Sequence, residues 1–120
     1  MTLTLSGTVS NAGTAFALAV SGQNVGSFID VENFANGNGT TASVSLTTTV
    51  ASALIVAVQN NNNGEATVGS GYTAIALSDA HWYMHGEYDL DAGADGAKTV
   101  DFSVPAAGDW TVNAVAFKPA

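Results

Sequence analysis

Between Ala80 and Leu90 two kinds of side chain take turns. His81, Tyr83, His85, Glu87 and Asp89 alternate with Trp82, Met84, Gly86, Tyr88 and Leu90. A period of two is that of a strand, so with the Trp82 row on the core the His81 row stands on the outer face of a sheet. Such a row mixes an aromatic ring with hydrogen-bonding groups, which suits a sugar or a protein surface. His81, Tyr83, His85 and Glu87 are therefore the candidate ligand- or partner-binding residues. The plain alternative is a solvated sheet face.

Metal and acid–base chemistry find less support. Four residues along a strand put His81 and His85 ~13 Å apart, too far for one ion to hold both. The stretch Asp89-Leu90-Asp91-Ala92-Gly93-Ala94-Asp95-Gly96 offers oxygen ligands at alternate positions, so Asp89, Asp91 and Asp95 form a calcium alternative. It departs from an EF-hand loop where Gly93 replaces a third ligand and Val100 the bidentate Glu. Glu87 and Asp89 stand ~7 Å apart along one strand face, a spacing a glycosidase pair could use, but small sheet proteins offer shallow clefts. Gly69-Ser70-Gly71 is turn chemistry and not a nucleophile elbow, and no phosphate-binding glycine loop is present. No catalytic residue, metal or cofactor is assigned, and the chain reads as a non-enzyme.

The elements that must position these residues are strands throughout. Leu3 and Leu5, then Phe16, Leu18 and Val20, then Phe28 to Val31, then Val44 to Val50 carry apolar residues at strand spacing. The run Leu54 to Val58 has the continuous apolar character of a strand buried on both faces. Tyr72 to Leu77, Ala80 to Leu90, Val100 to Val104 and Trp110 to Phe117 follow. Asn36-Gly37-Asn38-Gly39, Asn60 to Gly64, Ala92 to Gly96 and Pro105 to Gly108 read as the turns between them. Trp110, sharing a face with Val112, reads as core. Eight or nine short strands predict an all-β fold over residues 1–120 as one domain: an antiparallel two-sheet sandwich, jelly-roll-like, with a fibronectin-like or immunoglobulin-like sandwich as the alternative.

Composition limits the partners. Of 120 residues only two are Lys or Arg against ten Asp or Glu, a net charge of −8. Lys98 and Lys118 cannot form a phosphate-neutralising patch, which excludes nucleic acid, and an anionic membrane would repel the chain. There is no cysteine, and the start Met1-Thr2-Leu3-Thr4-Leu5 reads as a strand without a signal peptide. Strands rich in Val and Thr and poor in Lys have little protection against edge-to-edge pairing, which favours a homo-oligomer or a subunit held in a lattice.

Three segments carry a resemblance. Thr40 to Val50 leads into Leu54 to Val58; Gly69-Ser70-Gly71-Tyr72-Thr73 precedes the aromatic strand ending Glu87-Tyr88; and Thr99 to Val104 is followed by Trp110 to Pro119. Together they resemble the small jelly-roll modules of bacteriophage structural proteins, the head decoration proteins and the domains of fibres and spikes. The resemblance covers roughly Thr40 to Pro119 and rests on fold-pattern residues, not on a chemical motif. It implies a virion-surface protein made in the host cytoplasm, a capsid decoration, cement or spike subunit. Its implied partners are the major capsid protein or other virion subunits, with its own copies as a possible trimer. The alternative is a carbohydrate-binding or host-adhesion module taking a surface glycan on the face of strand 80–90.

Overall fold

The computed structural model describes residues 18–75 and 84–120. Among these the regular structure is all strand: β1 (Ile29–Thr48), β2 (Leu54–Asn61), β3 (Thr67–Val68), β4 (Thr73–Ile75), β5 (Met84–Asp89) and β6 (Gly96–Phe117). They form one antiparallel sheet in the order β1-β6-β2-β5-β4, with β3 attached to β6. The all-β expectation holds. In place of two hydrogen-bonded sheets there is one, and the described residues make six strands. The expected strand at Leu3–Leu5 lies outside the described residues, as do Phe16 and the Ala80–Tyr83 part of the aromatic strand, whereas Leu18 and Val20, expected to continue the strand from Phe16, are exposed and lie in no strand.

The difference has a physical origin in two segments that read as turns. Asn36–Gly39 lies inside β1 and Pro105–Gly108 inside β6, so four expected strands are two long ones. Gly39 pairs with Gly108, but Thr41 pairs with Ser103, so two steps along β1 face five along β6. Such a mismatch is a bulge, and a bulge bends a ribbon. Glycine, asparagine and proline are used here to fold a continuous ladder rather than to end it.

The bend is sharp. A straight strand of 20 residues would span ~65 Å, whereas the longest dimension of the molecule is 39 Å. The Asp30 carboxylate accepts hydrogen bonds from both the amide and the hydroxyl of Thr49. Asn33 Nδ2 donates to the Ser45 carbonyl at 2.9 Å. Both pairs are nearly symmetric about Gly39 and Thr40, so the β1–β6 ribbon doubles back on itself and its halves face each other.

The core fills the space between the halves. Ala42, Val44 and Leu46 of β1 and Val100, Phe102 and Val104 of β6 come from one half. Ala53, Ile55 and Ala57 of β2 and its lead-in, with Val112, Ala114 and Ala116 of β6, come from the other. Each set occupies alternate positions, as the pleat requires. Leu54 and Val56 are buried on the opposite side, so β2 is covered on both faces as its sequence predicts. Trp110 is half-buried against this core, and its ring lies across Gly37, where an added Cβ would sit 2.6 Å from Cζ2.

Candidate functional site

The face assignment of β5 is fixed by its register with β2. Glu87 stands opposite Ala57, Asp89 opposite Ile55 and His85 opposite Gln59. Ile55 and Ala57 belong to the core, so the row expected on the outside faces inward. Its partner row, Met84, Gly86 and Tyr88, lies opposite Asn60, Val58 and Val56 on the other side. The alternation is as the sequence predicts, with the two sides exchanged. His81 and Tyr83 lie outside the described residues.

Glu87 is accordingly fully buried, at 0% exposure. Its Oε2 accepts a hydrogen bond from the Gly69 amide at 2.8 Å, while its Oε1 is buried with no partner. Burial pushes this carboxyl up to about 7; the Gly69 amide works against that and the charge of Asp101 adds to it. His85 is half-buried, and its Nε2 accepts from the Ala66 amide at 3.1 Å, which assigns the ring proton to Nδ1. Burial holds this imidazole below its ordinary range despite the opposing charge of Glu65.

Three residues that the sequence did not single out as a site complete the cluster. Gln59 is fully buried; its Oε1 accepts from Asn61 Nδ2 at 3.2 Å and its Nε2 has no partner. Asn61 in turn accepts from the Asn63 amide at 2.7 Å. Tyr72 donates to the Thr99 carbonyl at 3.4 Å. Its hydroxyl is pushed up to about 12 by burial and then by the charges of Glu87, Asp89 and Asp101. The signal for Gln59 was its place two residues beyond Ala57 in the inward row of β2. What the arrangement does chemically is hold backbone: His85, Glu87 and Asn61 each accept from an amide of the segment 63–69 that crosses above them.

The acidic stretch after β5 is occupied with its own turns. Asp89 accepts from the Asp91 amide at 3.1 Å, and Asp91 from the Gly93 amide at 3.0 Å. Lys98 Nζ donates to the carbonyls of Ala92 and Ala94 at 2.5 and 2.6 Å. The cation this loop wraps is thus its own ammonium. Asp95 is exposed, and among the described residues no three carboxylate, histidine or cysteine side chains are grouped to hold a metal.

A second candidate surface was not anticipated. On the outer side of the sheet Glu32 and Phe34 of β1, Val56 and Val58 of β2, and Asn113 and Val115 of β6 line an open groove of about 610 Å³. Phe34 is 68% exposed at its rim. A further groove of about 510 Å³ lies beside the stacked rings of Phe28 and Phe117, flanked by Leu18, Val20 and Val25. The sequence signal was the apolar run Phe28 to Val31, read there as a strand; Phe34 stands outside that run. Comparison with protein-family models, with curated proteins and with solved structures finds no match.

Proposed function

We propose that this chain is a non-enzymatic structural subunit that works by packing against its neighbours, in a bacteriophage virion as a capsid decoration, cement or spike protein. The observation that supports it is β1. This strand stands at the end of the strand order, so among the described residues one of its sides has no ladder partner along 20 residues. Unpaired strand edges are templates for association, and natural monomers guard them with Lys, Pro or covering elements. β1 contains neither Lys nor Pro, and Ile29 and Phe34 on it are exposed.

Further support comes from the surface chemistry. An exposed apolar groove beside that edge, on a chain with two cations, suits burial in a homo-oligomer or against the major capsid protein. The doubled-back ribbon suits a jelly-roll-like sandwich, the fold the resemblance implies. Of the residues of the glycan alternative, Glu87 is buried and His85 is engaged with backbone, while His81 and Tyr83 lie outside the described residues.

Two measurements test the reading. Sedimentation of the purified chain at micromolar concentration should give an oligomer, reduced to monomer by Phe34→Lys with the circular dichroism unchanged. Mass spectrometry of purified particles should find the chain stoichiometric with the capsid. A stable monomer would remove the assembly role, and absence from the particles the virion one.

A further inference from the structure

Glu87 sits where the two halves of the fold are tied together at their far side. β3 belongs with the N-terminal half of β6, through Thr67 opposite Ser103 and Val68 opposite Phe102. Glu87 belongs with β2 and β5, which pair with each other and, through β2, with the C-terminal half of β6. Its bond to the Gly69 amide, one residue beyond β3, therefore bridges the halves. Gly69 is itself buried, with no room for a Cβ: one would lie 2.5 Å from the Asp101 carbonyl. The Glu87 carboxyl is thus enclosed by β2, β5, β6 and the segment above it.

We propose that Glu87, enclosed beneath the Gly69 amide, is a proton-operated latch that holds β3 against β6, closed while Glu87 is protonated and released when the ionised carboxylate, which one amide cannot satisfy in place of water, is driven to solvent. A carboxylate needs several donors when buried, and this one has a single amide, with Oε1 unpartnered. Among the described residues the charge around it does not help. Asp101 of β6, Asp89 of β5 and Tyr72, between β3 and β4, share its surroundings, and β2 contributes the uncharged Gln59. His85 is neutral in the form that accepts from Ala66, and the charge that acts on it is that of Glu65. The chain has two lysines, and both are placed elsewhere: Lys98 on the Ala92 and Ala94 carbonyls, Lys118 near Asp30.

The rest of the latch is weak enough to yield. β3 is two residues long, and its hold beyond Glu87 is the short ladder to Phe102 and Ser103, the bond to His85, the Tyr72 bond to the Thr99 carbonyl and the packing of Ala66, Val68 and Tyr72 on the core. Release would free the β6 edge at Phe102 and Ser103 while the β1–β6 ladder stays intact on the other side. This inference stands apart from the assembly role, since it concerns a contact within one chain.

Hydrogen exchange of the purified chain, expressed as protection relative to the intrinsic rate at each pH, reads the latch directly. Between about pH 6 and about pH 8.5 protection across residues 66–69 should fall about tenfold or more, and that of the ribbon should stay constant. Glu87→Gln keeps an acceptor for Gly69 without a charge, so its protection there should be the same at both pH values. Unchanged protection in the wild type, or an equal fall in Glu87→Gln, would overturn the proposal. Should that variant fail to fold, carbon NMR titration of the Glu87 carboxyl in the wild type decides it: a midpoint near the ordinary 4.5 overturns the latch, and one near 7 that moves together with the Gly69 amide sustains it.

Discussion

Two regions of one inner face are built on opposite rules. Around the ribbon, Ala42, Val44, Leu46, Val100, Phe102, Val112 and Ala114 fill the space with no polar side chain among them. Toward the end of β2 and the start of β5 the same face turns polar, with Gln59, Asn61, Glu87 and His85. The first region is held by shape and apolar area, which are indifferent to pH. The second is held by a few directed bonds to backbone amides, and two of their acceptors, His85 and Glu87, can change protonation state. One end of the interior therefore carries stability, and the other carries responsiveness.

The sharpest way to break the apolar side is Phe102→Ala. Phe102 is fully buried and pairs across both β1 and β3, so the loss should be about 3–5 kcal/mol in urea unfolding. A loss under about 1 kcal/mol would mean the ribbon core is not the main source of stability. Gly37→Ala should cost less, about 1–3 kcal/mol, because its Cβ would drive Trp110 from its seat. Coupling isolates the cause: in a Trp110→Leu background the same change should cost little.

The polar side is tested by pH. Glu87 titrates near 4.5 in the unfolded chain and about 7 when folded. Its folded value is raised, so its stabilising contribution is complete below about 4.5 and is lost as pH rises toward and through 7. The thermal midpoint of the wild type should drop over that window. Glu87→Gln should flatten that part of the profile, and a drop of equal size in the variant would assign it to another group.

How much of this was legible in the sequence follows the same division. Period-two patterning gave the strand class, and the apolar run Leu54 to Val58 gave the doubly covered strand. Two features resisted. Asn36–Gly39 and Pro105–Gly108 have turn composition, but whether such residues end a strand or bend it is decided by pairing with a distant segment. Likewise, the alternation around Glu87 is visible, yet which row faces inward is decided by the register with β2. The large apolar side chains of Trp82, Met84 and Tyr88 argue for one side, while Ile55 and Ala57, opposite Asp89 and Glu87, impose the other. Local pattern carries periodicity but not phase.

The smallest effect expected is at the closure of the ribbon, and it runs opposite to Glu87. Burial pushes the Asp30 carboxyl up, but the Thr49 hydroxyl and amide outweigh it and, with Lys118, hold it below its ordinary 3.8. A lowered folded value contributes stability that is present above about pH 4 and lost as pH falls through the folded value. Asp30 is largely solvated, and Asp30→Asn keeps one acceptor oxygen for Thr49, so the loss at neutral pH should be under about 1 kcal/mol. In acid the variant and the wild type should converge, whereas Glu87→Gln and the wild type should diverge toward alkaline pH. Finding both variants parallel to the wild type throughout would place the pH response outside these two carboxyls and dissolve the contrast between the two ends of the interior.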